Sequence, residues 1–339
     1  MALILVIFVI SLMTIIVINL TYSASLGATQ SANVQRTIQA EYLLKSAVNF
    51  ARVLLRADTT PDEDSGKDLW GTFANGAPVP LELLGLSSTQ NVKSIELEIR
   101  PEDSKIPLAA LVPAGSSTPS TFWPNVLTQL FRNLNFDDDG EEDQTGIFPN
   151  RHFRSDELVG ILIDYMDSNK VSYNPGGIES DLPEDQKELF PNRPIERIGE
   201  LSAIPGFTPK RLQRLVPLIS AVSGLGSLAA TININLAPSA VIRSLNQNID
   251  EQMTQAIVAF RTSEEGPFTN QNSTQKMTDI LGDPDVWTNI RPNLGYNSKW
   301  FQVIAKVDYG TASYFVRAYL SRPSGNAGEL PEIQSFELF

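Results

Sequence analysis

The chain has no cysteine, which excludes disulfides, thiolate metal sites and cysteine nucleophiles. It has one histidine, His152, so histidine-based triads and multi-histidine metal sites are excluded as well. With Arg151 and Arg154 beside it, His152 is expected in a surface loop. No phosphate-binding glycine loop or nucleophile elbow occurs, and acid pairs are too numerous to single one out, so no enzymatic activity is expected. Basic charge is in deficit: 26 Lys and Arg face 39 Asp and Glu, a net charge of −13. Such a chain repels phosphate backbones over a Debye length of roughly 8 Å, and nucleic acid is not an expected partner.

Charge of either sign is absent until Arg36, and what fills that space organises the rest. Residues 1–20 read MALILVIFVISLMTIIVINL, with Ser11, Thr14 and Asn19 as the polar positions. As a helix, about 18 such residues rise roughly 27 Å, close to the ~30 Å hydrocarbon core of a bilayer. The run predicts a membrane span. A cleaved secretory signal would have a basic start and a shorter apolar core, and both are missing here. Residues 21–33 contain no Pro and a single Gly, Gly27, unlike a linker. From Val34 an amphipathic pattern begins, with Leu43, Ala47, Phe50 and Leu54 at helical spacing and Tyr42, Val48, Ala51 and Leu55 beside them. One continuous helix to about Arg56 follows, half in lipid and half packed on a soluble domain.

At 339 residues, 42% of them hydrophobic, the chain can hold two modest cores. Residues 57–80 read as a loop holding Leu69 and Trp70. Residues 91–100, NVKSIELEIR, alternate as a half-buried strand, and the Pro, Ser and Thr cluster at 113–121 suggests a boundary. The period then becomes helical: Val126, Leu127, Leu130, Phe131 and Leu134 mark one helix, 158–165 a second, 210–219 a third. Residues 300–307 and 313–320 alternate again around Asp308, Tyr309 and Gly310, a hairpin signal. Strands on both sides of a helical block make an α+β fold with an all-α insertion.

Three stretches could carry chemistry. Residues 164–201 hold acids and amides after a helix end. Residues 135–143, NFDDDGEED, fit the opening of an EF-hand loop, but its twelfth position is Gly146 rather than a bidentate Glu, so the run is not an EF-hand. It reads as a solvated loop or a weak cation site. Residues 200–218, 231–245 and 255–268 each look like part of a helix-hairpin-helix module, with Ile204, Pro205, Gly206 and Phe207 as a hairpin and Lys210, Arg211 and Arg214 beside it. The acidic surroundings favour a structural role over DNA backbone binding, and Asn233 and Asn235 are expected to tie their loop to backbone groups at the following helix start.

An apolar amino-terminal helix that continues into a globular head resembles the mature form of type IV pilins and type II secretion pseudopilins. No basic leader precedes it, so Met1 resembles a mature first residue or an imposed boundary. Most of that superfamily has Glu at the fifth mature position, whereas Leu5 stands here. The large K-type minor pseudopilins share that lack. Their pattern after the helix end is matched by Asp164, Tyr165, Asp167, Gly177, Glu179, Asn192, Pro194, Glu200 and Leu201, with Tyr165 for the usual Trp and Asn169 for the usual Asp. The chain departs from the pattern at residues 102–111, where the family tends to an Asp-x-x-Gly turn and paired Asn.

The resemblance implies a pilin-like α/β head on the long helix, interrupted by a large all-α domain. Its divisions are a transmembrane and amphipathic helix at 1–57, the first part of the head at 58–118, an inserted domain with helix-hairpin-helix-like units at 119–291, returning strands at 292–322 and a loose tail at 323–339. It implies calcium, with Asp164, Asp167, Asn169, Glu179 and Asp181 as ligands. It also implies a subunit of the bacterial inner membrane with its head in the periplasm, matured by a prepilin peptidase. Such a subunit caps the pseudopilus with minor pseudopilins I, J and H, beside the major pseudopilin and the inner-membrane assembly platform. A type IV pilus minor pilin or adhesin, and a membrane-tethered DNA-binding protein, are the alternatives.

Overall fold

The computed structural model describes residues 2–60, 62–84, 92–183, 186–222, 230–323 and 328–339. Met1 and Asn91, where the span and the first strand were expected to begin, lie outside these residues, as do 324–327 of the tail.

The helices in chain order are α1 (Ala2–Arg56), α2 (Trp123–Asn133), α3 (Ser155–Met166), α4 (Pro209–Leu215), α5 (Ser239–Ser244), α6 (Glu251–Thr262), α7 (Ser273–Leu281) and α8 (Pro284–Ile290). The strands are β1 (Ala77–Pro78), β2 (Val92–Pro101), β3 (Ile106–Pro107), β4 (Ile219–Ser220), β5 (Ile232–Asn233), β6 (Leu294–Gly295), β7 (Trp300–Tyr309), β8 (Ala312–Ser321) and β9 (Glu332–Leu338).

No proline interrupts α1, which at ~1.5 Å per residue is roughly 80 Å long. Its hydroxyls fold back on their own helix: Thr14 Oγ1 donates to the Ile10 carbonyl and Thr21 Oγ1 to that of Val17, each at 2.8 Å. Neither hydroxyl crosses an apolar layer bare. Side chains 2–39 are exposed, and burial begins at Ala40. From there Ala40, Leu43, Leu44, Ala47, Val48, Ala51, Leu54 and Leu55 recur at three and four residues, a single buried face.

That face lies on an antiparallel sheet ordered β1, β2, β7, β8, β9. Ile95, Leu97 and Ile99 of β2, Phe301, Val303 and Ala305 of β7, and Val316, Ala318 and Leu320 of β8 point into the core beneath it. Each fully buried aliphatic side chain there contributes about 1.5–3 kcal/mol. Trp70 is fully buried against Phe301, ring centroids 5.3 Å apart, but Leu69 is 57% exposed, so the expected pair is a single anchor. The hairpin is tighter than expected, its first strand running two residues further: Tyr309 faces Ala312, and Gly310, at φ 64, begins the loop.

β2 and β7 are hydrogen-bonded neighbours, Ile95 opposite Val307, yet the whole stretch 102–299 lies between them in the chain. That stretch builds its own core on α2, α3 and the later helices, including Phe131, Phe136, Phe153, Leu158, Ile161 and Trp287. Ile106, Leu108, Leu111 and Val112 belong to the helical core, so the break between cores falls just after β2, ahead of the Pro, Ser and Thr cluster and of residue 118. Leu294 belongs to it too, so the return to the head falls after residue 292. The inserted region is also not all-helical: β3 pairs with β4 and β5 with β6, both parallel. The third helix stops at Leu215, because Pro217 sets a 3-10 turn at Val216–Leu218.

The tail corrects the reading of 323–339 as loose. β9 pairs antiparallel with β8, Val316 opposite Leu338, and Phe339 exchanges two backbone hydrogen bonds with Phe315 while their rings stack at 5.8 Å. Its two Gly and two Pro all precede the strand, in 323–331.

Where the chain leaves and re-enters the sheet, buried carboxylates hold it. Asp103 accepts from the Lys299 and Trp300 amides at 2.8 and 2.7 Å. Asp64 accepts from the Ser298 amide and from Arg322, whose other nitrogen reaches Asp58 at 3.1 Å. Burial pushes the Asp64 carboxyl up to about 7 against the opposing charge of Arg322, and that of Asp103 to about 6 against its two amide donors.

Candidate functional site

The loop after α3 is built around Asp164, which is fully buried. One oxygen accepts from the Tyr173 amide at 2.6 Å, the other from the Ile178 and Glu179 amides at 2.6 and 2.8 Å. Two glycines let the loop sit this close. A Cβ on Gly177 would lie 2.5 Å from both Asp164 oxygens, and one on Gly160 would lie 2.5 Å from the backbone at Gly176 and Gly177. Asp164 is therefore the organiser of the loop, its oxygens taken by backbone amides.

Around it stand the other expected ligands. Asp167 is buried and accepts from the Asn169 amide and side chain at 3.1 and 2.8 Å, while Asn169 Oδ1 accepts from the Val171 amide at 2.7 Å. Asp181 is exposed. Glu179 is buried, and Asn192, held at φ 51, donates to its Oε1 at 3.3 Å and to the Asn169 carbonyl at 2.8 Å. Glu179 Oε2 and Asn192 Oδ1 are both buried with no donor. Burial raises the carboxyls of Asp167 and Glu179, and the charge of Asp164 raises both further. Two acceptor-only atoms without donors beside mutually repelling carboxylates fit a hard cation bound through oxygen. The fit centres on Glu179, Asn192 and Asp167. Asn192 was quoted from sequence for the family pattern but not as a ligand.

Among the described residues, Asp164, Asp167, Glu179 and Asp181 do not bring three carboxylate oxygens within 4.8 Å of one another; Asp58, Asp64 and Asp68 do. In that second group the Arg322 guanidinium already supplies the positive charge.

The acidic run 135–143 is not a solvated loop. Arg211, with no exposed side-chain surface, binds Asp139 through two nitrogens at 2.8 Å each, and also donates to the Phe136 and Gly206 carbonyls at 2.8 and 3.0 Å. Lys210 pairs with Glu141 at 2.9 Å, and Arg214 lies over the Phe136 ring at 5.3 Å. Asp143 accepts from the Gly206 amide at 3.1 Å. The hairpin amide and the three basic residues that suggested a DNA backbone site thus face an acidic segment of the same chain, which meets them as a phosphate would.

His152 is half-buried in its loop rather than free at the surface. Its ring lies between two carbonyls, Nδ1 2.8 Å from Glu141 O and Nε2 2.9 Å from Asp137 O. Asn233 and Asn235 act at longer range than expected. Asn235 exchanges two hydrogen bonds with the Phe268 backbone at 2.9 and 2.8 Å, and Asn233 Nδ2 reaches Ser298 Oγ at 2.9 Å, while no side chain caps α5.

Residues 104–224 match the family model described as Type II secretion system (T2SS), protein K. The matched segment begins where the helical core begins and contains the Asp164 loop, the acidic run and the Gly206 hairpin. A chain of the GspK-GspI-GspJ complex from the type 2 secretion system of enterotoxigenic Escherichia coli has the same fold, with a TM-score of 0.66 at 16% identity, over 91% of this chain and 99% of that one. At that identity the likeness is one of fold. No curated protein matches the chain by sequence. The family match thus covers 121 of the 339 residues, 104 to 224 inclusive, and the solved chain shares the fold.

Proposed function

We propose that the chain is a minor pseudopilin that caps the tip of a type II secretion pseudopilus and starts its assembly with pseudopilins of the I and J type. The observation that carries this is α1: one rigid helix, exposed through residue 39 and buried on the sheet only from Ala40, on a head enlarged by a protein K domain. The exposed part is a membrane span by length and composition. In lipid, such helices associate through packing rather than a hydrophobic drive. No carboxylate precedes Glu41, so nothing in the span can neutralise an amine of a subunit stacked above it. The inserted domain adds bulk that opposes such stacking. On this reading the head lies in the periplasm and the role is structural rather than enzymatic. The complex of the fold relative supports the choice of partners.

Co-purification tests this. The full chain, in detergent at micromolar concentration with its cognate I and J subunits, should elute as one complex. A chain that elutes alone from that mixture contradicts the proposal.

Calcium belongs to the same reading. A divalent ion held by Glu179 and Asp167 with Asn192 would supply the charge that the orphaned oxygens lack and would fix the loop on α3. Calorimetric titration of the full chain should give heat and a higher melting temperature with calcium, both reduced in Glu179→Gln. No heat and no melting shift in the parent chain remove the calcium assignment and leave the pseudopilin role standing.

A further inference from the structure

A groove of about 560 Å³ runs between α2 and the segment after α5, with the end of α8 closing one side. Its chemistry differs from that of the chain as a whole. Seven of its thirteen lining residues are Asn or Gln, and none is acidic, although Asp and Glu number 39 in the sequence. Its one cation, Arg132, lies 4.0 Å from Asp137 outside the groove and is thereby partly compensated.

The amides are poorly engaged. Asn246 donates to Asn289 and Gln129 to Asn133, both at 3.3 Å and so at the long end for a hydrogen bond, Asn125 spends one donor on the Thr121 carbonyl at 3.2 Å and keeps its oxygen, and Asn246 Oδ1 accepts from the Asn248 amide at 2.9 Å. Among the described residues, the side chains of Gln247 and Asn293 have no hydrogen-bond partner. Each free amide offers two donors and two acceptor lone pairs. A ligand that matches such a wall carries neutral groups that donate and accept at close spacing. Phe122 and Leu245 are the only apolar side chains in the lining, too few for the alternating side-chain pockets that hold an extended peptide. Phe122 is half-buried and offers a ring on which the apolar face of a sugar can rest.

We propose that this groove binds a neutral oligosaccharide through the amides of Asn125, Gln247, Asn248 and Asn293, with Phe122 against one sugar ring. The site is independent of the calcium loop and of the assignment to a secretion fibre.

The test uses the full chain in phospholipid nanodiscs, free of maltoside and glucoside detergents, titrated with chitohexaose, maltohexaose and a neutral hexapeptide. Saturable binding of at least one sugar is expected. It should weaken roughly tenfold in Gln247→Ala/Asn293→Ala, and to a similar degree in Asn125→Ala on the opposite wall, with unchanged melting temperature. All three side chains lie at the surface of the groove, so either variant serves if the other fails to fold. Binding of neither sugar, binding of the peptide alone, or sugar binding untouched by both variants overturns the proposal.

Discussion

Arg211 is the residue whose loss should cost most for its position, and the size of that loss is calculable from its surroundings. Replacement by Met keeps the length of the side chain and removes four hydrogen bonds. Asp139, only 4% exposed, and the carbonyls of Phe136 and Gly206 then lose those donors. Burial alone would raise the Asp139 carboxyl, but hydrogen bonds from Arg211 and the Glu141 amide, with the Arg211 charge, hold it below its ordinary value. Without Arg211 that balance reverses. Breaking a buried pair by removing one partner costs about 3–5 kcal/mol, whereas replacing both partners with apolar groups is often neutral. For a domain of this size 1 kcal/mol moves the melting temperature by roughly 2–4 °C. Arg211→Met should therefore lower the melting temperature of the full chain in calorimetry by about 10 °C, at low and high salt alike, since a buried pair is little screened. Arg211→Met/Asp139→Leu should recover part of the loss. A single variant within about 2 °C of the parent, or a double variant worse than the sum of the singles, would refute the idea that this ion pair clips the acidic run to the hairpin.

Other outcomes follow from the same geometry. Asp64 and Asp103 have folded pKa values of about 7 and about 6, above their ordinary 3.8, so the folded state binds protons more tightly than the unfolded one. Their contribution makes stability fall as pH rises through 6 and 7, and melting should be higher near pH 5.5 than near pH 8. Asp64→Asn and Asp103→Asn should each flatten that slope, and a slope unchanged in both variants contradicts the assignment. Gly177→Ala forces a Cβ into Asp164 and should abolish calcium heat, together with a melting loss of a few kcal/mol; Gly199→Ala, with open space around it, is the silent control. Deletion of 332–339 should speed hydrogen exchange at Phe315, Arg317 and other β8 amides facing the lost strand while leaving α3 protected. Uniform exchange across the chain would show that β9 is not an independent edge.

Much of this architecture was legible because the signals were long and periodic. The end of α1 at Arg56, the alternation of β2, and the paired β7 and β8 followed from spacing alone. What spacing could not show was where side chains go across the chain. Asp139, Glu141 and Asp143 read as a solvated run because their partners Arg211, Lys210 and Gly206 lie some 60–70 residues away in sequence. His152 looked like loop surface because its partners are backbone carbonyls, those of Glu141 and Asp137, which no pattern of side chains reveals. Ile106, Leu108 and Leu111 sit before a Pro and Ser cluster that reads as a boundary, yet they pack with the helices that follow it. At the Asp164 loop the candidate residues were legible as a set. Their roles were not, since a buried Asp164 saturated by amides and a Glu179 with an orphaned oxygen look alike as letters.

The central claim, that this subunit terminates a fibre, is tested most directly by its position. Gold-labelled antibody against an epitope inserted at the Gly310 turn should mark one end of assembled pseudopili, one cluster per fibre, in electron micrographs. Label spaced along the shafts, or absent from the fibres altogether, would contradict it.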